Sequence, residues 1–130
     1  MTSVVLDASA LIAVLRCEPG AGVVRKHLPE AIISAVNYSE ILKKTIERGG
    51  SAEMAQAFVR NISLRIIPFD EEQAVASAAL YPKTKPHGLS FADRACLALG
   101  VLKGYPVLTT DKDLVLVDVP IKVQMIRGQH

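Results

Sequence analysis

The apolar positions of the chain fall into short runs that alternate with longer segments of helical periodicity. Five apolar runs predict strands, at 4–6, 31–33, 65–69, 106–108 and 122–126. The segments between them predict helices, except at 81–88, where two prolines predict a loop. The strands are apolar at successive positions, which is typical of strands covered on both faces. Because helices separate the strands, the pattern predicts an α/β sandwich with a short, mostly parallel sheet.

The composition is that of a folded domain with a small net charge. Half of the 130 residues are apolar, 22% are charged and the formal net charge is +2, so we expect one domain over residues 1–130. No apolar run reaches the roughly 18 residues of a membrane span, and the start of the chain lacks the basic segment of a signal peptide. The sequence therefore predicts a cytoplasmic protein without membrane association. Cys17 and Cys96 both lie in apolar segments, which predicts two reduced, buried thiols.

Two carboxylates follow predicted strands directly. Asp7 comes after the run at 4–6, and Asp111 follows the run at 106–108. Because ligands of open α/β sheets bind beyond the carboxyl ends of the strands, neighbouring strands would bring these two acids to one edge. Each aspartate is also a good helix N-cap, so the pattern alone leaves a capping role open for both.

Asp93 and Glu40 carry opposite local signals. Asp93 lies in a helix that is apolar on nearly every side, where an unpaired charge is costly, although its position in the first turn also permits capping. Glu40 lies opposite an apolar face that contains Ile41 and Ile46. Periodicity alone therefore predicts that Glu40 is solvated and contacts Lys44 at i,i+4.

Four segments of the chain resemble, in order, the motifs of PIN-domain ribonucleases, and specifically of VapC-type toxins. They begin with Val4-Val5-Leu6-Asp7-Ala8-Ser9, and continue with Ser34-Ala35-Val36-Asn37-Tyr38-Ser39-Glu40, Ser90-Phe91-Ala92-Asp93-Arg94 and Thr109-Thr110-Asp111-Lys112-Asp113. The resemblance covers nearly the whole chain. It implies a PIN-like three-layer sandwich, with a mostly parallel sheet of about five strands flanked by helices.

The resemblance also implies the residues of the site. The catalytic acids implied are Asp7, Glu40, Asp93 and Asp111. Three of them, Asp7, Asp93 and Asp111, would be metal ligands, and Glu40 would bind directly or through water. Asp113 is a possible further ligand, and Ser9 and Thr109 match hydroxyl positions that support the first aspartate. Oxygen ligands without Cys or His suit Mg²⁺ or Mn²⁺.

An acidic site that cuts RNA needs basic residues around it. The candidates for RNA binding are Arg16, Lys43, Lys44, Lys83, Lys85 and Arg94. With three Tyr and three Phe in the chain, an extended base-stacking platform is not expected. The sequence therefore predicts that the shape of a folded RNA is recognised.

The resemblance implies a metal-dependent endoribonuclease that acts on structured RNA such as transfer or ribosomal RNA. It also implies a homodimer and a cognate antitoxin as partner, with apolar surface from 52–59 and the first helices. Two alternatives remain at this point. A metal-dependent phosphatase is disfavoured because Asp7-Ala8-Ser9 lacks the second aspartate of a D-x-D motif. A non-catalytic PIN-like binding module is disfavoured because all four acids are present.

Overall fold

The computed structural model describes residues 3–127 of the chain. Its strands are β1 (Val4–Leu6), β2 (Ala31–Ser34), β3 (Arg65–Ile67), β4 (Val107–Thr109) and β5 (Val123–Met125). Its helices are α1 (Ala8–Leu15), α2 (Ala21–His27), α3 (Ala35–Glu47), α4 (Ala52–Asn61), α5 (Glu71–Ala79), α6 (Tyr81–Thr84), α7 (Phe91–Lys103) and α8 (Lys112–Val115). Short 3-10 turns cover Leu28–Glu30 and Lys85–His87.

The five strands form one sheet in the order β3-β2-β1-β4-β5, and each neighbouring pair is parallel. β1 is central and pairs with β4 in a register that places Leu6 beside Leu108. The predicted parallel α/β sheet is confirmed, and so is the adjacency of the two strands that precede Asp7 and Asp111. In the range 3–127, no helix is long and apolar enough to cross a membrane.

Alternate residues of β1 enter two separate cores. Val4 and Leu6 pack with apolar residues of α1 and α2 on one face of the sheet, whereas Val5 packs with Leu97 and Leu99 of α7 on the other. Each of these side chains is almost fully buried, and burial of such a side chain contributes about 1.5–3 kcal/mol. The sheet is therefore the middle layer of a three-layer sandwich, which explains why its central strand β1 is apolar at every position. The edge strand β3 is less covered, since Arg65 and Ile66 are exposed.

Some sequence predictions of local structure are wrong, and prolines explain two of them. The predicted loop at 81–88 forms helix α6 and a 3-10 turn, because Pro82 and Pro86 lie in first turns, where the missing N–H costs nothing. The predicted strand at 65–69 ends at Ile67, because Pro68 has no N–H to donate to a sheet.

Cys17 is exposed, whereas Cys96 is buried and both are free thiols. The prediction that both thiols are reduced agrees with this structure, but the predicted burial of Cys17 is wrong. Helix α1 ends at Leu15, and Cys17 adopts a positive φ of 52° in the turn that follows. The chain therefore turns out of the core after α1, so that Cys17 is exposed although it belongs to the same apolar run.

Candidate functional site

Asp7 lies where the central strand β1 ends, and its carboxylate is only 4% exposed. One oxygen, Oδ1, accepts the backbone N–H of Ala10 at 2.9 Å and the hydroxyl of Ser9 at 2.6 Å. The other oxygen, Oδ2, accepts the hydroxyl of Thr109 at 2.6 Å. Asp7 is thus the N-cap of α1, and it is also fixed to the neighbouring strand β4. The capping interpretation is correct, and it leaves the position of the carboxylate at the sheet edge unchanged.

The hydroxyls of Ser9 and Thr109 are oriented toward Asp7 by backbone donors. Ser9 Oγ accepts the N–H of Thr110 at 2.9 Å, and Thr109 Oγ1 accepts the N–H of Asp111 at 2.9 Å. Because each oxygen already accepts a backbone hydrogen, its own proton is free to point at the carboxylate. Both hydroxyls therefore donate short hydrogen bonds to Asp7, which is the supporting role that the resemblance implied for them.

The environment of Asp7 favours its neutral form. Burial raises the pKa of Asp7 from 3.8 to about 6, because a buried charge loses its hydration. Hydrogen bonds from Ser9, Thr109 and Ala10 offset part of this increase, and the negative charge of Asp93 adds to it. A cation at this edge would reverse the balance, since it would favour the ionised carboxylate.

Asp93 lies in the first turn of α7 and closes a capping box with Ser90. Asp93 Oδ2 accepts the N–H of Ser90 at 2.8 Å and its hydroxyl at 3.0 Å, while Ser90 Oγ accepts the N–H of Asp93 at 3.2 Å. The helix terminus thus explains how a carboxylate is tolerated on an otherwise apolar helix. Asp93 Oδ1 has no hydrogen bond from the residues that the structure describes, so it remains available as a ligand.

Helix α3 packs against the core with the predicted apolar face, which includes Tyr38 and Ile41. The structure differs from the prediction at two residues, because Asn37 is also buried and Ile46 is 56% exposed. The amide of Asn37 donates a hydrogen bond of 3.1 Å to the carbonyl of Ala92, which joins α3 to the residue before Asp93. Glu40 is half-buried one turn beyond Asn37.

The predicted contact of Glu40 with Lys44 is not formed. Within residues 3–127, the i,i+4 ion pair of α3 joins Lys43 to Glu47 at 3.0 Å instead. Glu40 is therefore not the fully solvated residue that periodicity alone predicts, because its turn of the helix faces α7.

The buried thiol of Cys96 is affected by three of the acids. Burial raises the pKa of Cys96 well above its ordinary value, and the negative charges of Asp7, Asp93 and Glu40 raise it further. Asp7 follows β1, Asp93 lies in α7 and Glu40 lies in α3. The charges of three elements that are distant in sequence therefore act on one part of the core.

The fourth candidate acid, Asp111, comes from the strand that pairs with β1. It follows β4 and caps α8, because its Oδ1 accepts the N–H of Asp113 at 2.8 Å. Both Asp111 and Asp113 are half-buried. The short helix thus turns the chain away immediately after Asp111 and leaves this carboxylate at the edge that Asp7 also occupies.

The donor set fits a hard divalent cation in its chemistry. Every candidate ligand is a carboxylate, and Asp93 and Asp111 each use only one oxygen for capping, which leaves a free oxygen for Mg²⁺ or Mn²⁺. Over the described range, however, no three His, Cys, Asp or Glu side chains lie close enough together to hold an ion.

Three of the basic candidates form contacts elsewhere in the chain. Lys43 pairs with Glu47, Lys83 donates to the carbonyl of Asp118 at 2.9 Å, and Arg16 lies 3.9 Å from Glu18. These contacts are exposed or half-exposed, and such pairs stabilise little. They do not gather the predicted RNA-binding residues into one surface.

The other three basic candidates fall into two separate places. Lys44 lines a cleft of about 230 Å³ between α1 and α3, together with Arg48 and with Arg16 of the first group. Lys85 and Arg94 both lie over the ring of Tyr81, at 5.9 Å and 5.4 Å from its centroid. The structure therefore contains two basic surfaces, and only the second adjoins Asp93 in the chain.

Sequence reasoning missed Asn37 as a member of the site. Its side chain is 1% exposed, and its Oδ1 has no hydrogen-bond partner among the residues described. The signal was present, since Asn37 lies three residues before Glu40 and such residues share a helix face. Hydrophobic periodicity does not indicate a buried amide here, because it places Glu40 on the solvated side of α3, opposite the apolar face.

The chain matches a family model in sequence and solved structures in fold. The family model of the PIN domain matches residues 4–120. No curated protein is significantly similar to the chain in sequence. A chain of the DNA-bound VapBC complex from Salmonella typhimurium superposes with a TM-score of 0.74 at 16% identity, covering 97% of this chain and 99% of that one.

Other solved structures share the fold to a similar degree. A toxin-antitoxin complex from Klebsiella pneumoniae gives a TM-score of 0.69 at 21% identity, with 93% and 100% of the two chains covered. VapBC-1 from nontypeable Haemophilus influenzae gives 0.73 at 14% identity, with 96% and 98% covered. The family model spans most of the chain, and the parallel sheet carries the acidic edge described above. The protein belongs to the PIN domain family.

Proposed function

We propose that the protein is a divalent-metal-dependent endoribonuclease and the toxin of a toxin–antitoxin pair. The observation that carries the proposal is the hydroxyl of Thr109, which donates to the carboxylate of Asp7 and accepts the N–H of Asp111 at the ends of the paired strands β1 and β4. Asn37, one turn before Glu40 on α3, donates to the carbonyl of Ala92 beside Asp93. Family membership supports a nuclease, and the matched structures of toxin–antitoxin complexes support the toxin role.

In this proposal Asp7, Asp93 and Asp111 hold the ion, and Glu40 binds directly or through water. When bound, the divalent ion supplies a water of lowered pKa and neutralises charge on the phosphate. Ser9 and Thr109 hold Asp7 in one orientation through their hydroxyl hydrogen bonds. Asn37 fixes the start of α7 through the carbonyl of Ala92, so that Asp93 is presented toward the same point.

The test is cleavage of labelled total transfer RNA by the purified chain in Mg²⁺, Mn²⁺ or EDTA. We expect cutting with either metal, none in EDTA, and a loss of at least about 100-fold in Asp7→Ala, since metal-assisted hydrolysis supplies several kcal/mol. Glu53→Gln is the matched control, because Glu53 is an exposed carboxylate in the first turn of α4. Cutting that persists in EDTA or in Asp7→Ala contradicts the proposal.

Metal binding separates the enzyme from a non-catalytic module. We expect calorimetry to show Mn²⁺ binding to the purified chain and weaker binding to Glu40→Gln. A chain that neither binds Mn²⁺ nor cuts RNA would be a PIN-like binding module. An unchanged Mn²⁺ affinity in Glu40→Gln would instead show that Glu40 does not take part in metal binding.

The proposal includes a cognate antitoxin that occupies the cleft between α1 and α3. The lining of this cleft includes Ile12, Leu15 and Ile41, together with Arg16, Lys44 and Arg48. Apolar and cationic side chains together fit an acidic, amphipathic segment of a partner. We expect Arg48→Glu to weaken antitoxin binding about tenfold, as loss of a well-placed charge contact does, whereas Arg60→Glu on the exposed side of α4 leaves it unchanged.

The homodimer remains part of the proposal, but its expected surface needs correction. Ala55 and Val59 of α4 are buried within the chain, and Met54 is the apolar side chain of that segment that is strongly exposed, at 69%. Val75 of α5 and Leu116 after α8 are exposed to a similar degree outside it, at 66% and 63%. Sedimentation equilibrium of the purified chain tests the oligomeric state, and a monomer at micromolar concentration contradicts this part of the proposal.

A further inference from the structure

Three of the chain's six tyrosine and phenylalanine side chains lie close to two cations beside the start of α7. We call this set the aromatic patch, and its members are Phe69, Tyr81, Lys85, Phe91 and Arg94. The rings of Phe69 and Phe91 meet edge to face, with centroids 5.5 Å apart and planes at 84°. The guanidinium of Arg94 lies 5.4 Å from the ring centroid of Tyr81 and 5.9 Å from that of Phe91.

The rings of the aromatic patch are held in place yet remain open to solvent. Phe91 and Tyr81 are each 49% exposed. Edge-to-face packing and cation–π contacts restrict how such rings can turn. A partner that stacks on them would therefore lose little additional side-chain entropy on binding.

The two cations of the patch are not neutralised by carboxylates. Within residues 3–127, neither Lys85 nor Arg94 forms an ion pair, and the buried Nε of Arg94 has no hydrogen-bond partner. Arg94 is therefore held against rings and keeps its charge for an anion. Aromatic faces combined with unpaired cations are what single-stranded nucleic acids bind, because bases stack while phosphates are attracted.

The patch adjoins the acidic edge through the backbone itself. Phe91 and Arg94 flank Asp93 in the first turn of α7. Phe69 follows β3 as Asp7 follows β1, so both lie beyond the carboxyl ends of parallel strands. The first turn of α7 therefore carries Asp93 together with two members of the aromatic patch.

We infer that the aromatic patch is a subsite for an unpaired nucleobase adjacent to the scissile phosphate. The inference rests on the proposed ribonuclease function and adds to it the residues that would hold a base beside the cleaved bond. The base stacks on Phe91 or Tyr81, and Lys85 and Arg94 attract the flanking phosphates. The patch is small, which agrees with the expectation that the chain has no extended stacking platform.

Binding without metal tests the subsite separately from cleavage. The probe is a short single-stranded RNA that contains 2-aminopurine, whose fluorescence falls when the base stacks, mixed with the protein in EDTA. We expect quenching by the wild type and about tenfold weaker binding with lost quenching in Phe91→Leu, because stacking on an aromatic ring contributes substantially per base. Ile46→Ala, which shortens an exposed apolar side chain on α3, is the control and should bind as the wild type does.

Kinetics on transfer RNA in Mn²⁺ gives the second readout. We expect Phe91→Leu to raise KM about tenfold with kcat within about twofold, because the ring contacts the substrate away from the reacting atoms. Wild-type binding, quenching and KM in Phe91→Leu would overturn the inference while cleavage that depends on Asp7 upheld the proposed function. Conversely, quenching that depends on Phe91 in a chain that cuts no RNA would uphold the subsite and overturn the nuclease.

A protein–protein role for the patch is the competing outcome. If Phe91→Leu changes the sedimentation of the chain from dimer to monomer, the patch is an interface between copies and the inference is wrong. An unchanged oligomeric state together with lost quenching supports the base subsite. Tyr81→Leu should reproduce the binding loss, since Tyr81 carries both cations on its ring.

Discussion

The hydroxyl of Thr109 donates a hydrogen bond of 2.6 Å to the carboxylate of Asp7, across 102 positions of the chain. The bond joins the ends of two paired strands, because Asp7 follows β1 and Thr109 ends β4. The same hydroxyl oxygen accepts the N–H of Asp111. One threonine side chain therefore fixes the relative position of two of the four acids.

Removal of this hydroxyl should weaken the ionised form of Asp7. The hydrogen bond from Thr109 lowers the pKa of Asp7, so we expect Thr109→Val to raise that pKa above about 6. A ¹³C NMR titration of the aspartate carboxyls in the metal-free protein measures it. Thr109→Ser keeps the donor and is the control, and it should titrate as the wild type does. Equal pKa values for all three proteins would show that the hydroxyl does not control this carboxylate.

Asp7 should make the stability of the metal-free protein depend on pH. Its pKa in the folded protein is raised from 3.8 to about 6, so the folded state binds this proton more tightly than the unfolded chain does. The resulting stabilisation is complete below about pH 4 and is lost as the pH rises through about 6, with a total of roughly 3 kcal/mol.

Substitution of Asp7 by asparagine isolates this contribution. We expect Asp7→Asn in EDTA to be more stable than the wild type at pH 8 by roughly 1–3 kcal/mol, and the difference to vanish near pH 4. Urea unfolding at the two pH values measures it, and Glu53→Gln is the control for an exposed carboxylate. A destabilised Asp7→Asn at pH 8 would mean that the charge is better compensated than its burial suggests.

Asn37 should contribute to metal affinity without being the principal ligand. Its amide holds the carbonyl of Ala92, so we expect Asn37→Ala to lower Mn²⁺ affinity about tenfold, as loss of groups that orient ligands does. Calorimetric titration measures the affinity. Gln73→Ala is the matched control, because Gln73 is also a buried amide with one hydrogen bond to a backbone carbonyl and an unpaired oxygen. A similar loss in both variants would indicate a general effect of destabilisation.

Gly100 should be required for the packing of α7 on the sheet. A Cβ at Gly100 would lie 2.9 Å from Cγ2 of Val107 and 3.1 Å from the carbonyl oxygen of Tyr105. We therefore expect Gly100→Ala to lower the free energy of unfolding by about 1–3 kcal/mol, which urea denaturation measures.

Gly22 supplies the matched control for Gly100. It lies in α2 with nothing within 4 Å of the position of a Cβ, so we expect Gly22→Ala to stabilise the protein by about 0.5–1 kcal/mol. If the two substitutions have the same effect, the close approach of α7 to β4 is not limiting.

The sequence predicted the sheet more completely than it predicted which helical residues are buried. The order of apolar runs determines a parallel sheet, because only crossover connections join parallel strands. The burial of each helical residue depends instead on which neighbour packs against it. Ile46 is exposed and Asn37 is buried, because α3 contacts α7 through a polar turn that hydrophobic periodicity does not register.

The two candidate acids at strand ends could be predicted from the sequence pattern, whereas the one on α3 could not. Asp7 and Asp111 follow short apolar runs directly, and the parallel sheet alone brings them to one edge. Glu40 needed the resemblance, since its surroundings on the helix are polar. The aromatic patch was not predictable, because Phe69, Tyr81 and Phe91 come from three segments whose association depends on the helical turns at 81–87.

The burial of Cys96 in α7 also has a consequence for thiol chemistry. Its raised pKa and lack of exposure should protect it from alkylation, whereas Cys17 is exposed and should react in the native protein. A reagent can reach Cys96 only when α7 separates from the sheet. The rate at which a second thiol becomes modified therefore measures how often the helix that carries Asp93 opens, independently of any RNA or metal.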